Sequence, residues 1–482
     1  MPFIRTSQVE ESYDLVVIGS GFGSLFFVHK TLLLNPKLRI LMLERGEATP
    51  YEEQVAAGRN SPIAAESTFA TPHEKIWNFT IGFGGGTNCW YGQTPRMHPH
   101  DFETRSRYDI GQDWPLSYDD LEPYYCEAEY VMQIAGPDDL AVMFPRSRPY
   151  PQPPHRLSTP DEIMKRAQPD HHFAMPTARA RLATATRNPC CASARCSLCP
   201  VNAKFTAYNG FQHLIDHPSL SILTQAKVTH LDVEAGVVRR ARFESAASRR
   251  TAGGALFVLG ANAIHGPAIL LSSGLGTPLT GVGINEQAGF QVEVLLDGVD
   301  GLDGGSITSG INYALVDGDF RRRHGGAMIM FDNRWTYGLR REFGRWRQTL
   351  PLVVTVENPP TDNSRVAIGN DDVPEVRYPA LTDYALAGID AARARLQHVL
   401  APLPIEEIRF QGLRPTESHI QSSLRMGRTL QDSVVDPDQI HHRVRNLIVV
   451  GSSVFPSCPT ANPSLTVAAL ALRAADRIVG RS

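Results

Sequence analysis

No apolar run in the chain is long enough to cross a bilayer, and the opening M-P-F-I-R-T-S-Q-V-E-E has no basic head followed by an apolar segment. Neither a membrane span nor a secretory signal is expected, so a cytoplasmic location is the default expectation. Charge of one sign is missing too. The 47 Lys and Arg stand against 50 Asp and Glu, a net charge of −3, which offers no general field to nucleic acid or an anionic membrane. Cysteine is scarce, with 7 in 482 residues, and four of the seven crowd between Cys190 and Cys199. That distribution does not look like a disulfide framework; it reads as ligands or reactive thiols. What remains is a globular composition, 42% hydrophobic and 20% charged, in a chain too long for one core, so two domains are expected.

The most informative stretch runs from Tyr13 to Ser24, Y-D-L-V-V-I-G-S-G-F-G-S. Four apolar residues, Leu15 to Ile18, lead straight into Gly19, Gly21, Phe22 and Gly23, which predicts a buried strand turning sharply into a helix. A turn without side chains lets a pyrophosphate sit on the backbone N–H groups of a helix start. The context fits. Phe26 to Leu34 continues as helix, Leu38 to Leu43 gives a second apolar strand, and Glu44-Arg45 follows. An acidic residue about twenty positions past the glycines is where a dinucleotide's ribose hydroxyl is held. The prediction is a Rossmann-type nucleotide-binding domain.

Further on, I-G-F-G-G-G-T-N-C-W places Gly85, Gly86, Thr87, Asn88, Cys89 and Trp90 in a loop. It reads either as an ordinary glycine-rich loop or as a second backbone contact to the same cofactor. Ser117 is expected to cap a helix starting at Tyr118. Prolines between Pro145 and Pro160 suggest a connector. Leu220 to Leu223, Lys227 to Val233 (with Val228) and Gly254 to Gly260 read as strands. From about residue 290 to 360 the pattern alternates, which predicts an antiparallel sheet over Phe290–Leu296, Ala327–Phe331 and Pro351–Glu357. Arg321 to Arg323 and Arg340 to Arg347 read as a solvated basic face, and His441 and His442 as surface residues. Asp383 to Leu400 reads as an amphipathic helix. The last sixty residues resume the buried-strand and helix pattern of the N-terminus. N-L-I-V-V-G-S-S from Asn446 is a buried strand reaching Gly451 and Ser452, and Asn462, Pro463 and Ser464 open an Ala/Leu-rich helix. A helix N-terminus there suits negative charge.

The ordered set G-S-G-F-G-S, Glu44, G-F-G-G-G-T-N-C-W, H-I-Q-S-S-L-R-M-G, N-L-I-V-V-G-S-S-V-F-P-S and A-N-P-S-L-T resembles the glucose-methanol-choline (GMC) family of flavin oxidoreductases, on the side of its bacterial sugar and alcohol dehydrogenases and pyranose oxidase-like members. The middle, roughly 291 to 415, matches only in general character. The resemblance implies an α/β fold: a discontinuous FAD-binding domain (1–100, 190–290 and 425–482) with an inserted α+β substrate domain on an antiparallel sheet (101–189 and 291–424). It implies FAD and oxidation of an alcohol or sugar hydroxyl by hydride transfer. His419 matches the family's active-site histidine and Asn462 the second polar residue of the pair. A neutral imidazole can accept the hydroxyl proton as hydride leaves, and an amide can orient the hydroxyl.

Cys89 stands where similar sugar oxidases place a flavin-linked histidine; a thiol link or a small buried residue are the two readings. Cys190, Cys191, Cys196 and Cys199, in C-C-x4-C-x2-C-P, resemble a segment that holds an iron-sulfur cluster in some dehydrogenases of the family, with a different last spacing. Cluster, zinc and free thiols all stay open. So do oxygen, quinone or a redox protein as electron acceptor, and a different class, a flavoprotein tailoring or lyase enzyme acting on a natural product or glycoside.

Overall fold

The computed structural model describes residues 3–245, 248–334, 345–369 and 372–480. Along the chain the strands are β1 (Ser12–Ile18), β2 (Ile40–Leu43), β3 (His172–Ala174), β4 (Leu220–Leu223), β5 (Lys227–Glu234), β6 (Val237–Ser245), β7 (Ser248–Leu259) and β8 (Ala288–Leu296). They continue with β9 (Thr308–Leu315), β10 (Ala327–Asp332), β11 (Thr349–Val356), β12 (Arg365–Ile368), β13 (Pro374–Arg377), β14 (Ile405–Leu413) and β15 (Leu447–Val449). Among the described residues these form two principal sheets.

The first sheet runs β4-β2-β1-β7, with β15 parallel to β7 on its far side. Its apolar strands are buried on both faces, as a parallel sheet covered by helices requires. The helix Phe22–Leu34 leaves β1 and packs against the C-terminal helix Ser464–Val479. The register pairs Ile18 with Leu43 and Leu259, Leu43 with Leu223, and Val449 with Leu259, so five strands end level. The turns after them carry Gly19, Glu44, Gly260 and Gly451. A ligand crevice is expected at such an edge. The N-terminal half of β7 pairs with the antiparallel hairpin β5-β6.

The second sheet is antiparallel, β14-β8-β11-β10-β9-β3. Alternation divides its faces. Phe290, Val292, Val294, Ile329, Phe331, Leu352 and Val354 pack with the helix Asp383–Val399, whereas Met328, Met330, Val353, Ile311 and Tyr313 join the core of the first sheet. The antiparallel sheet thus lies over the nucleotide-binding fold, and this α/β architecture with its inserted antiparallel sheet matches the expectation from sequence. Ser117 does cap the helix Tyr118–Met132, accepting from the Asp120 N–H at 3.1 Å.

Two sequence expectations fail on burial. Arg321 is not on a solvated face: it is 1% exposed, with Asp101 at 2.9 Å and Glu357 at 2.8 Å, because distant carboxylates converge on it and a buried guanidinium needs them. Arg345 and Arg347 do form half-exposed pairs with Glu406 and Asp300; residues 335–344, with the rest of that patch, lie outside the described residues. His441 is buried and accepts from the Arg443 N–H at 3.2 Å, while His442 is half-exposed against Ser433.

Candidate active site

The glycine turn after β1 works position by position. Gly19 has φ +88°, and a Cβ there would stand 2.6 Å from the Gly260 carbonyl oxygen, so only glycine fits. At Gly23 a Cβ would meet the Gly451 nitrogen at 2.8 Å, so this glycine allows the helix to approach the β15 turn. A Cβ on Gly21 would meet nothing within 4 Å among the described residues. Gly85, from the second glycine loop, approaches Gly21 so closely that its Cβ would be 3.1 Å from the Gly21 Cα. Glu44 is buried beside them and accepts from the Ser20 N–H (3.0 Å), the Ser20 hydroxyl (2.6 Å) and the Gly46 N–H (2.9 Å). Ser20 in turn accepts from the Gly84 N–H at 3.1 Å, joining the two loops.

Here a cavity of about 1180 Å³ opens, lined by Gly19, Gly21, Glu44, Arg45, Gly85, Gly86 and Val228 among others. That volume suits a large ligand. Of the other residues singled out in the sequence, Phe22 packs edge-on against Trp90 (4.7 Å between centroids), whose indole N–H donates to Phe205. Thr87 accepts from the Ala207 N–H and Asn88 donates to the Phe83 carbonyl, both holding the loop's shape. The half-buried Cys89 thiol accepts from Thr80 Oγ1 at 2.9 Å. Pro463 immediately precedes the helix that Ser464 opens and makes no side-chain capping bond to it.

His419 and Asn462 meet. Ser452, just past β15, donates to the Ile420 carbonyl at 2.6 Å, and the Ser422 N–H donates to the Ser452 carbonyl at 3.0 Å, which brings the His419 segment beside the closing motif. Asn462 Nδ2 then lies 3.2 Å from His419 Nε2. The other ring nitrogen, Nδ1, is 3.1 Å from Gln287 Oε1. The Gln287 amide cannot be turned round, because its nitrogen donates to the Pro459 and Ala461 carbonyls at 2.8 and 2.9 Å. Its oxygen must therefore face His419, which puts the ring proton on Nδ1 and a bare lone pair on Nε2. Burial, then the nearby Arg414, push the His419 pKa down from 6.5 to about 3. The ring is neutral near pH 7 with its basic nitrogen towards Asn462, whose Oδ1 is buried and has no hydrogen-bond partner among the described residues. Glu286, also buried, holds the His419 backbone N–H at 3.2 Å.

Sequence reasoning missed Gln287 and Glu286. Their one local signal is two adjacent polar residues, N-E-Q-A-G, at the mouth of an apolar strand.

A family model described as GMC oxidoreductase matches residues 385–471. The chain is 26% identical to the fructose dehydrogenase large subunit of Gluconobacter japonicus, over 97% of this chain and 98% of that one. It is also 26% identical to the 6'''-hydroxyparomomycin C oxidase of Streptomyces lividus, over 98% and 93%. The chain is thus similar to GMC oxidoreductases, through the family model at its C-terminal part and through these relatives along its length. Among solved structures, pyridoxine 4-oxidase from Mesorbium loti superposes with a TM-score of 0.69 at 17% identity, over 97% of this chain and 99% of that one. At that identity the likeness is one of fold.

In this chain the crowded cysteines do not converge. Among the described residues, the one set of three or more potential ligand atoms lying within 4.8 Å of one another is His98, His100 and Asp317; Cys190, Cys191, Cys196 and Cys199 form no such set. Cys191 is exposed, Cys190 lies 3.6 Å from the Ser306 hydroxyl, and Cys199 accepts from the Ala203 N–H at 3.3 Å. Burial pushes the Cys196 thiol up to about 11, so unless a metal ion binds it this thiol stays protonated near pH 7. The cluster, an open reading of the sequence, thus gains no support from this arrangement. The nearby Lys204 is buried and donates to the Asn88 and Ser197 carbonyls at 2.9 and 2.8 Å, tying the cysteine segment to the second glycine loop. No described helix is long and apolar enough to cross a membrane.

Proposed function

We propose that this protein oxidises a CH–OH group of a sugar, polyol or related alcohol, with FAD as hydride acceptor, His419 as base and Asn462 orienting the hydroxyl. The observation that carries the reading is the fixed His419 ring, neutral, with its Nε2 lone pair beside the Asn462 amide. A hydroxyl placed between them hands its proton to Nε2 and accepts from Asn462 Nδ2, and the alkoxide character that develops on its oxygen eases departure of hydride from the carbon. FAD supplies the two-electron acceptor when bound.

The residues present fit it. Gly21 leaves open space where a pyrophosphate would meet the helix start, Glu44 and Arg45 line the cavity for a ribose and its surroundings, and the orphaned Asn462 Oδ1 awaits a donor. We take the FAD-binding part as 1–100, 190–290 and 425–482 and the substrate part as 101–189 and 291–424. The reading assigns no iron-sulfur cluster to Cys190–Cys199.

An absorbance spectrum of the purified protein, before and after acid precipitation and after anaerobic addition of sugars and polyols, tests it. A flavin spectrum bleached by at least one of them is expected. Protein that holds no flavin contradicts the reading, and a retained flavin that no hydroxyl compound bleaches moves it to a non-oxidative flavoprotein.

A further inference from the structure

The Asn462 amide is also held from the side away from His419. Its Nδ2 carries two hydrogens, one facing His419 Nε2 and the other facing Gln93 Oε1 at 3.3 Å. Gln93 Nε2 donates to Thr308 Oγ1 at 2.7 Å, and Thr308 donates to Asp332 Oδ1 at 2.8 Å. Asp332 Oδ2 accepts from Arg334 at 2.7 Å. A hydroxyl has one hydrogen, and Thr308 must give it to the carboxylate, so its oxygen accepts from Gln93. Every donor in the series therefore points the same way, from Asn462 to Asp332. Thr308 and Asp332 face each other in the β9–β10 register and are 1% and 3% exposed.

We propose that Gln93, Thr308 and Asp332 are positioning residues that fix the orientation of the Asn462 amide from the antiparallel sheet. The inference rests on the reading of His419 and Asn462 as the proton-handling pair. An asparagine amide has two orientations related by a half-turn about its last bond. One sets Nδ2 against the His419 lone pair; the other sets Oδ1 there, lone pair against lone pair. A single neutral contact at 3.2 Å discriminates modestly between them. A series ending on a buried carboxylate polarises each bond towards the charge and strengthens the first orientation. The series also spans the two halves of the fold: Gln93 follows the second glycine loop, and Thr308 and Asp332 sit on the sheet above it. Breaking it should change the reaction without changing how the cofactor is held.

Thr308→Val keeps the shape and removes the hydroxyl; Thr308→Ser restores it. Two quantities are read on holoprotein: the rate of anaerobic flavin reduction by D-fructose and a panel of polyols, and the 15N shift of His419 Nε2 in histidine-labelled protein, assigned by its loss in His419→Gln. Thr308→Val should slow reduction by about tenfold or more at saturating substrate, leave flavin content and the half-saturating concentration unchanged, and move the Nε2 shift. Thr308→Ser should restore both. Asp332→Asn, equal in size, should give a smaller change in the same direction, and serves if the valine variant does not fold. Unchanged rate and shift in Thr308→Val, or a serine variant as impaired as the valine one, overturns the relay. A wild type that no compound reduces contradicts the proposed function instead, and the nitrogen shift then decides the relay alone.

Discussion

The two principal sheets contribute to the proposed site by different means. The parallel sheet offers backbone: its strands end level, and the turns beyond them are shaped by glycines whose missing side chains make the space. The antiparallel sheet and the segments beside it offer side chains: Gln287, Thr308 and Asp332 act through hydrogen bonds that reach His419 and Asn462. A backbone site is specified by consecutive residues, so it is written in one stretch of sequence. A side-chain site is gathered from positions far apart, held by packing that the sequence does not spell out.

The sharpest way to separate the two is within the first glycine turn. Gly21→Leu points into open space, so the protein should fold and purify without flavin, read as the ratio of flavin to protein absorbance. Gly23→Leu collides with the Gly451 backbone and should instead lose soluble, folded protein. A fully yellow Gly21→Leu protein would show that the backbone half of the comparison is misplaced.

On the side-chain half, Gln287→Leu removes the group that sets the His419 tautomer and strips two buried carbonyls of their donor. Flavin reduction should slow by about tenfold or more, and stability should fall by about 2 kcal/mol by denaturant titration. Unaltered reduction would mean that His419 keeps its tautomer without help.

That contrast also explains what is legible in the sequence. The strand-turn-helix at Tyr13–Ser24, the level return at Asn446–Gly451 and the alternating strands of the roof are local patterns, and the fold follows them. His419 and Asn462 stand out through short motifs, and the structure sets them 3.2 Å apart. Gln93, Gln287, Thr308 and Asp332 do not stand out, because nothing near them in sequence marks a polar residue as facing a partner on another segment of the chain. Arg321 and His441 read wrongly as surface residues for the same reason: charge patterning along the chain does not reveal the carboxylates or the packing that bury them.

Acid should act on both halves together. Burial lowers the pKa of His29, His98, His155 and His441 to about 4 and of His265 and His419 to about 3. The unfolded chain takes up these protons first, near 6.5, so the stability these neutral rings allow is present above 6.5 and is lost as pH falls below it. Asp101 and Glu417, raised by burial to about 7, act in the opposite sense, losing stability as pH rises from about 4 towards 7. Six groups outweigh two. The melting temperature should drop between pH 6.5 and 4, and His419→Gln should shallow that drop; a flat profile would contradict the assigned burial.

The smallest effect is expected outside both sheets. Cys191→Ser, at an exposed position, should leave flavin content, melting temperature and reduction rate unchanged, and anaerobically purified protein should hold iron and acid-labile sulfide near zero. Stoichiometric iron and sulfide would show that the cysteine segment closes around a cluster.

The central claim is that His419 receives the hydroxyl proton at a cofactor held by other residues. Stopped-flow flavin reduction, mixed anaerobically with a compound that bleaches the wild type, tests it in His419→Ala. The account predicts a full complement of flavin and a reduction rate lower by about a hundredfold or more. Full flavin with a rate near that of the wild type would contradict it.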